Sequence, residues 1–170
     1  MISRSAERAL ETKFGIFTEV LYYDGRRESV ALVMGELSGG ENVLCRIHSA
    51  CIGGHVFNSV ECECAAEMAS AQKAIQRAGR GVIIYLDQEG KGNGHRALML
   101  SIPFKKAGHS QGDAYELAGY SSDARTYDEA AAILKDLGVS SVLLLSGGER
   151  KSNELKLLGI NVEGVVSSMY

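Results

Sequence analysis

Residues 64–86 read CAAEMASAQKAIQRAGRGVIIYL, a stretch that holds a helix, its stop and a strand in direct succession. Residues 64–78 are rich in Ala, Glu, Gln and Lys, which lose little side-chain freedom in a helix. Met68, Ala71, Ala74 and Ile75 recur near a 3.6-residue period and give that helix one apolar face. Gly79 and Gly81 flank its end, where the chain needs a left-handed turn. Residues 82–86, VIIYL, are too short for a helix and suit a buried strand. Downstream the alternation continues. Residues 96–107 predict a helix disturbed near Pro103, which has no N–H to give. Residues 127–137 predict another, ended by Gly138, and residues 141–145 a second buried strand. Residues 150–158 predict a helix ended by Gly159, and 161–166 a last strand. Upstream the pattern is all strand. Residues 14–23 are aromatic and β-branched and stop at Asp24-Gly25; residues 29–37, SVALVMGEL, stop at Ser38-Gly39-Gly40; residues 42–48, NVLCRIH, partly alternate. The expectation is an α/β (α+β) single domain over residues 1–170, a mixed sheet with antiparallel N-terminal strands and flanking helices.

Composition bounds the function. A chain of 170 residues with 45% hydrophobic and 23% charged residues can bury a core without disulfides. Net charge is −3, and no Lys/Arg run forms a basic stripe, which argues against nucleic acid as a partner. No apolar run is long enough to span a membrane, and Met1-Ile2-Ser3-Arg4-Ser5 lacks the apolar centre of a signal peptide. The expected location is cytoplasmic, where four cysteines point to metal or catalysis before disulfides.

Three of those cysteines form a constellation: Cys51, then ten residues, then Cys62-Glu63-Cys64. Two cysteines two apart can set both thiolates on one side of a turn, and a third from a Gly-containing loop completes three soft ligands. Zinc takes four, so three leave a position for water, as in a catalytic site. Cys64 opens a helix, whose positive end favours thiolates. Three thiolates also donate much charge to a metal, so its water needs help from a base or from substrate charge. Two alternatives stay open on these residues alone. The cysteines read equally as ordinary buried side chains, as Cys45 does on its strand, and His48 or His55 could close the site as a fourth ligand and make it structural.

Two strand-to-helix turns follow. In Gln88-Glu89-Gly90-Lys91-Gly92-Asn93-Gly94-His95 the backbone amides can cradle an anion. Glu89 could accept hydrogen bonds from a base and Lys91 could meet phosphate. Ser146-Gly147-Gly148 before Arg150-Lys151 is a similar turn. Many Gly-rich turns are only turns, and a helix start with two cations is often only solvated.

These blocks, in this order and spacing, resemble the GTP cyclohydrolase II family over about residues 5 to 168. The family reads close to R-V-H-S-E-C, ten residues, C-D-C; here stand Arg46-Ile47-His48-Ser49-Ala50-Cys51 and Cys62-Glu63-Cys64. Gln88-Glu89-Gly90-Lys91 is similar to its Q-E-G-R, Ser122-Asp123-Ala124-Arg125 to its A-D-x-R, and the segment from Leu145 to Lys151 to its L-T-N-N-P-x-K. The resemblance implies a Zn2+-dependent hydrolase that opens the imidazole ring of GTP and releases formate and pyrophosphate. Its zinc would sit on Cys51, Cys62 and Cys64, with Mg2+ on the triphosphate. It implies substrate binding by Arg46, His48, Ser49, Glu67, Glu89, Gly90, Lys91, Gln111, Ser146 and Lys151, and catalytic positions at Asp123 and Arg125. In the family the last two are assigned as proton acceptor and nucleophile toward the α-phosphorus. An arginine is held cationic, so the physical role expected is electrostatic, Arg125 clamping phosphate and Asp123 orienting it. Without the resemblance the pair reads as a surface ion pair worth little. A homodimer is the family's habit and the expectation here.

The sequence also departs from the family. Ala50 stands for a glutamate, Glu67 for a glutamine, Glu61 for an arginine, Lys91 for an arginine, Gln111 for a threonine, Gly147 and Gly148 for two polar residues, and Ile102 for a tyrosine. The metal ligands and the Asp-x-Arg pair remain while base and phosphate contacts change. Three readings follow: a GTP cyclohydrolase, a paralogue that opens a different heterocycle (a less phosphorylated purine or a pyrimidine compound), and an inactive nucleotide-binding protein with structural zinc.

Overall fold

The computed structural model describes residues 2–145 and 148–166. Seven strands, β1 (Ser3–Thr12), β2 (Gly15–Tyr23), β3 (Glu28–Met34), β4 (Val43–Ser49), β5 (Gly81–Leu86), β6 (Val142–Leu145) and β7 (Val162–Val166), join one sheet in the order β1-β2-β3-β5-β4-β6-β7. The pairs β1–β2, β2–β3 and β3–β5 are antiparallel; β4–β5, β4–β6 and β6–β7 are parallel. The mixed sheet with an antiparallel N-terminal part is thus as expected. The helices are α1 (Ile52–His55), α2 (Cys64–Ala78), α3 (His95–Lys106), α4 (Gln111–Leu117), α5 (Asp128–Asp136) and α6 (Glu149–Leu157).

The central strand β5 shows why both faces are covered. Val82, Ile84 and Leu86 pack into the cluster that holds Ala130, Ala131, Ile133 and Leu134 of α5, while Ile83 packs with Ala71 and Ile75 of α2. A strand buried on both faces reads as a continuous apolar run rather than an alternating one. Neighbouring β4 divides the same way. Cys45 and Ile47 enter the α5 cluster, while Arg46 and His48 pair in register with Ile83 and Tyr85 on the other face. On that face the packing runs from apolar to polar toward the carboxyl ends of β4 and β5, and parallel strands present ligand sites at such ends. Gly79 ends α2 in the left-handed conformation at φ 70° and Gly81 must be bare, since a Cβ there would lie 2.7 Å from Ile75 Cγ1.

Three elements, β1, α1 and α4, were not expected from the sequence. β1 was not expected: its side chains are almost all exposed, and only its backbone pairing to β2, from Ser3↔Tyr23 to Thr12↔Gly15, makes it a strand. α1 and α4 are short helices, while α3 runs through Pro103 to Lys106, close to the expected range of 96–107.

Candidate active site

Residues 50–51 leave the end of β4 and turn at once into α1, with Cys51 as its N-cap in extended backbone and its sulfur accepting from Gly54 N at 3.4 Å. Cys64 opens α2. The sulfurs of Cys51, Cys62 and Cys64 lie within 4.8 Å of one another, and Cys51 Sγ is 3.6 Å from Cys62 Sγ. Zn–S bonds of about 2.3 Å in a tetrahedron put sulfurs about 3.8 Å apart, so this spacing fits such an ion. Gly54 lets the sulfurs converge: a Cβ there would lie 2.8 Å from Cys62 Sγ and 3.4 Å from Cys51 Sγ. Burial, then the neighbouring thiols, push the Cys64 thiol up, and burial raises Cys51 as well. A divalent cation among the three would reverse that sign, because it binds thiolates. Among the described residues this is the only group of His, Cys, Asp or Glu with metal-site spacing, and neither His48 nor His55 belongs to it.

The two histidines instead bind each other, with Nε2 atoms 3.0 Å apart, and His48 stacks on Tyr85 at 11° between ring planes. Burial, then the charges of Arg46, His55 and Lys151, push His48 down to about 3, so the ring is neutral. Arg46 Nε donates to His48 Nδ1 at 3.4 Å, which leaves the proton on Nε2 to reach His55. His55 Nδ1 is a buried atom with no partner among the described residues.

The Gly-rich turn after β5 meets the Asp-x-Arg segment. Gln88 is buried, its amide donates to Thr126 O at 2.9 Å, and its Oε1 accepts from Thr126 N at 3.1 Å. Ala124 N donates to Lys91 O at 2.9 Å. Asp123 accepts from Arg125 Nε at 2.9 Å and Nη2 at 2.5 Å, and pairs with Arg150 at 2.7 Å. Burial alone would raise Asp123, but the Arg125 hydrogen bonds and the charges of Arg125 and Arg150 hold it down at about 2. Gly92, at φ 82°, allows the close approach: a Cβ would lie 2.7 Å from Ala124 O and 2.9 Å from Arg125 N. Gly92→Ala should therefore displace the Asp-x-Arg segment and destabilise the fold by more than about 1 kcal/mol. Gly94→Ala, at φ 90° with nothing within 4 Å of its Cβ, meets only the backbone strain. Urea melts and turnover should show that Gly92→Ala loses both stability and activity while Gly94→Ala loses mainly stability; equal activity losses would refute the clash.

One cavity of about 260 Å³ gathers most of these parts. Its lining includes the three cysteines, Arg46, His48, Ser49, Glu67, Glu89, Gly90, Lys91, Gln111, Arg125 and Lys151. Asp123 is not part of that lining but holds Arg125, which is. Ser146 lies outside the described residues. Arg46 is fixed by Leu145 O at 2.9 Å and Glu67 Oε2 at 2.6 Å. Lys151 donates to Ile47 O at 2.9 Å, and burial, then Arg46 and Arg125, push it down to about 8. The structure also brings in residues that sequence reasoning missed. Lys105 and Tyr115 line the cavity; Gln88 and Arg150, read in the sequence only as parts of their two turns, hold the Asp-x-Arg segment. The partner of Gln88 gave no signal, because Thr126 lies 38 residues on.

Comparison with known proteins agrees with this architecture. The profile of the family described as GTP cyclohydrolase II matches residues 3–167, nearly the whole chain. The chain belongs to the GTP cyclohydrolase II family. A GTP cyclohydrolase-2 from Actinobacillus succinogenes is 38% identical over 163 residues, covering 95% of this chain and 75% of that protein. A riboflavin biosynthesis protein RibBA from Bacillus cereus is 39% identical over 153 residues, 89% of this chain but 38% of that protein. The chain thus spans well under half the length of the RibBA relatives. A crystal structure of RibBX, a two domain 3,4-dihydroxy-2-butanone 4-phosphate synthase from A. baumannii, has a TM-score of 0.55 at 22% identity, over 98% of this chain and 40% of that one. At that identity the likeness concerns the fold alone. This GTP cyclohydrolase II family member has a cysteine cluster able to hold a metal in its cavity. Among the described residues no helix is long and apolar enough to cross a membrane.

Proposed function

We propose that this chain is a zinc-dependent cyclohydrolase that opens the imidazole ring of GTP or a related purine nucleotide. The observation that carries the reading is the convergence of three sulfurs within 4.8 Å on the wall of the cavity that Arg125 and Lys91 also line. Cys51, Cys62 and Cys64 would hold the zinc, which would supply Lewis-acid chemistry for water attack, helped by a base or by substrate charge. Ring opening and formamide cleavage together consume two waters and release formate; loss of pyrophosphate consumes a third. Arg125, oriented by Asp123, grips phosphate, and magnesium travels with a triphosphate substrate. Glu67 spends one carboxylate oxygen on Arg46 and has the other to accept from the N–H groups of a base.

The ion pairs favour a second reading, a substrate with fewer phosphates. Glu67 neutralises Arg46, and Asp123 holds both Arg125 and Arg150. Of the cations that line the cavity, Lys91 and Lys105 have no carboxylate partner among the described residues, and Glu61 lines it as well. The test is to incubate zinc-loaded chain with GTP, GMP, guanosine and simple pyrimidine compounds and to measure formate and products by mass spectrometry. Formate from GTP supports the first reading, and turnover of GMP or guanosine in preference to GTP supports the second. No zinc-dependent ring opening of any compound would sink both.

A further inference from the structure

Glu89 follows the end of β5 and lines the cavity, yet its carboxylate is engaged with the metal arm. It is 8% exposed, and its Oε2 accepts from Ile52 N at 2.8 Å. Ile52 is the first residue of α1, and Cys51 is that helix's N-cap. A helix of four residues cannot hold itself, because nucleation costs more than so few hydrogen bonds return. Its first N–H groups are orphan donors that need partners outside the helix. One goes to the Cys51 sulfur, from Gly54 N at 3.4 Å, and the one on Ile52 goes to Glu89. Glu89 is a stiff base for this tie: its own carbonyl accepts from Gly92 N at 3.1 Å and Gly94 N at 2.9 Å. Its other carboxylate oxygen is 3.9 Å from His95 Nδ1, beyond hydrogen-bond reach.

We propose that Glu89 is a positioning residue of the metal centre. It fixes the start of α1 so that the Cys51 sulfur meets those of Cys62 and Cys64. The role needs an acceptor rather than a charge. It also joins the turn that carries Lys91 to the arm that carries Cys51, so anion loop and metal arm keep one geometry. The inference rests on the zinc reading of the cysteine cluster.

The test uses the full chain and the variants Glu89→Ala, Glu89→Gln and Ile52→Pro. Zinc affinity is read by competition with a chromophoric chelator, and ligand geometry by the visible spectrum after cobalt(II) substitution. Glu89→Ala should weaken zinc binding about 10–100-fold, the cost usual for losing an outer partner of a metal ligand, and should shift the cobalt bands. Glu89→Gln keeps an oxygen that accepts from Ile52 N–H and should retain the parent affinity and spectrum. Ile52→Pro deletes the donor instead. Proline suits the first position of a helix, and Cys51 before it is already extended, at φ −150° and ψ 94°. Ile52→Pro should match Glu89→Ala, and the double variant should be no weaker than either. Should Glu89→Ala not fold, Ile52→Pro and Glu89→Gln still decide. Parent-like zinc binding and cobalt spectra in Glu89→Ala and Ile52→Pro, or additive losses in the double variant, would overturn the proposal and leave the zinc reading standing. A parent chain that binds no zinc would remove both.

Discussion

Cys62→Ala is expected to lose stoichiometric zinc and to lower ring opening by more than about 100-fold, the upper end of what loss of a mere outer partner costs a metal site. The argument is one of geometry and charge. Cys62 lies 3.6 Å from Cys51 and within 4.8 Å of Cys64, so its removal leaves two sulfurs where the described side chains offer no substitute ligand. His48 and His55 are engaged with each other and do not join the group. Metal content by elemental analysis and formate release by mass spectrometry measure the outcome. Cys45→Ala is the control. Cys45 is fully buried in the α5 cluster, and burial pushes its thiol up to about 12, so it is an inert core side chain. That variant should lose some stability and keep its zinc. A Cys62→Ala protein with full metal and full turnover would remove the cysteine site from the mechanism.

What could be read in the sequence, and what could not, divides along physical lines. α2 and β5 were legible because an apolar face at helical period, a glycine stop and a β-branched run all act locally. The cysteines were legible because metal-ligand spacing is a sequence property. β1 was not, because residues 3–12 bury almost nothing and become a strand only through the backbone of β2. α4 did carry a local sign, Ser110 capping Asp113 N at 3.2 Å and meeting its carboxylate at 2.7 Å, a capping arrangement that the sequence reading passed over. Within the site, long-range pairing was invisible. Glu67 read only as a carboxylate standing for the family's glutamine, and the fold sets it 2.6 Å from Arg46, 21 residues away. Glu89 read as a contact for a base, and the fold gives its carboxylate a backbone N–H 37 residues away that the sequence could not announce. Residue types announce chemistry, but which groups satisfy each other depends on the sheet order that brings β4, β5 and the 123–126 segment together.

Arg125→Ala should separate phosphate handling from the chemistry at the base. Arg125 lines the cavity and is held by Asp123 through two side-chain hydrogen bonds. Loss of one aimed donor to a developing or bound anion costs about 10²-fold or more in rate. The expected result is a fall of that size in kcat/KM for GTP or GMP, with guanosine, which has no phosphate, changed little. Asp123→Asn should produce a smaller loss of the same kind, because Arg125 keeps its charge and loses only its orientation. The pH dependence follows from the pair. Asp123 is held at about 2 and Arg125 is raised, first by its hydrogen bond to Asp123. Neither group changes charge between pH 5 and 9, so neither shapes the activity profile there. The carboxylate is depressed in the folded state, so its stabilising contribution is complete above its ordinary value of 3.8 and is lost as pH falls through about 2. Acid unfolding of the parent should therefore steepen between those values, and Asp123→Asn should flatten that part of the curve. Equal losses for GTP and guanosine in Arg125→Ala would assign the arginine to the ring-opening step or to the fold instead of to phosphate.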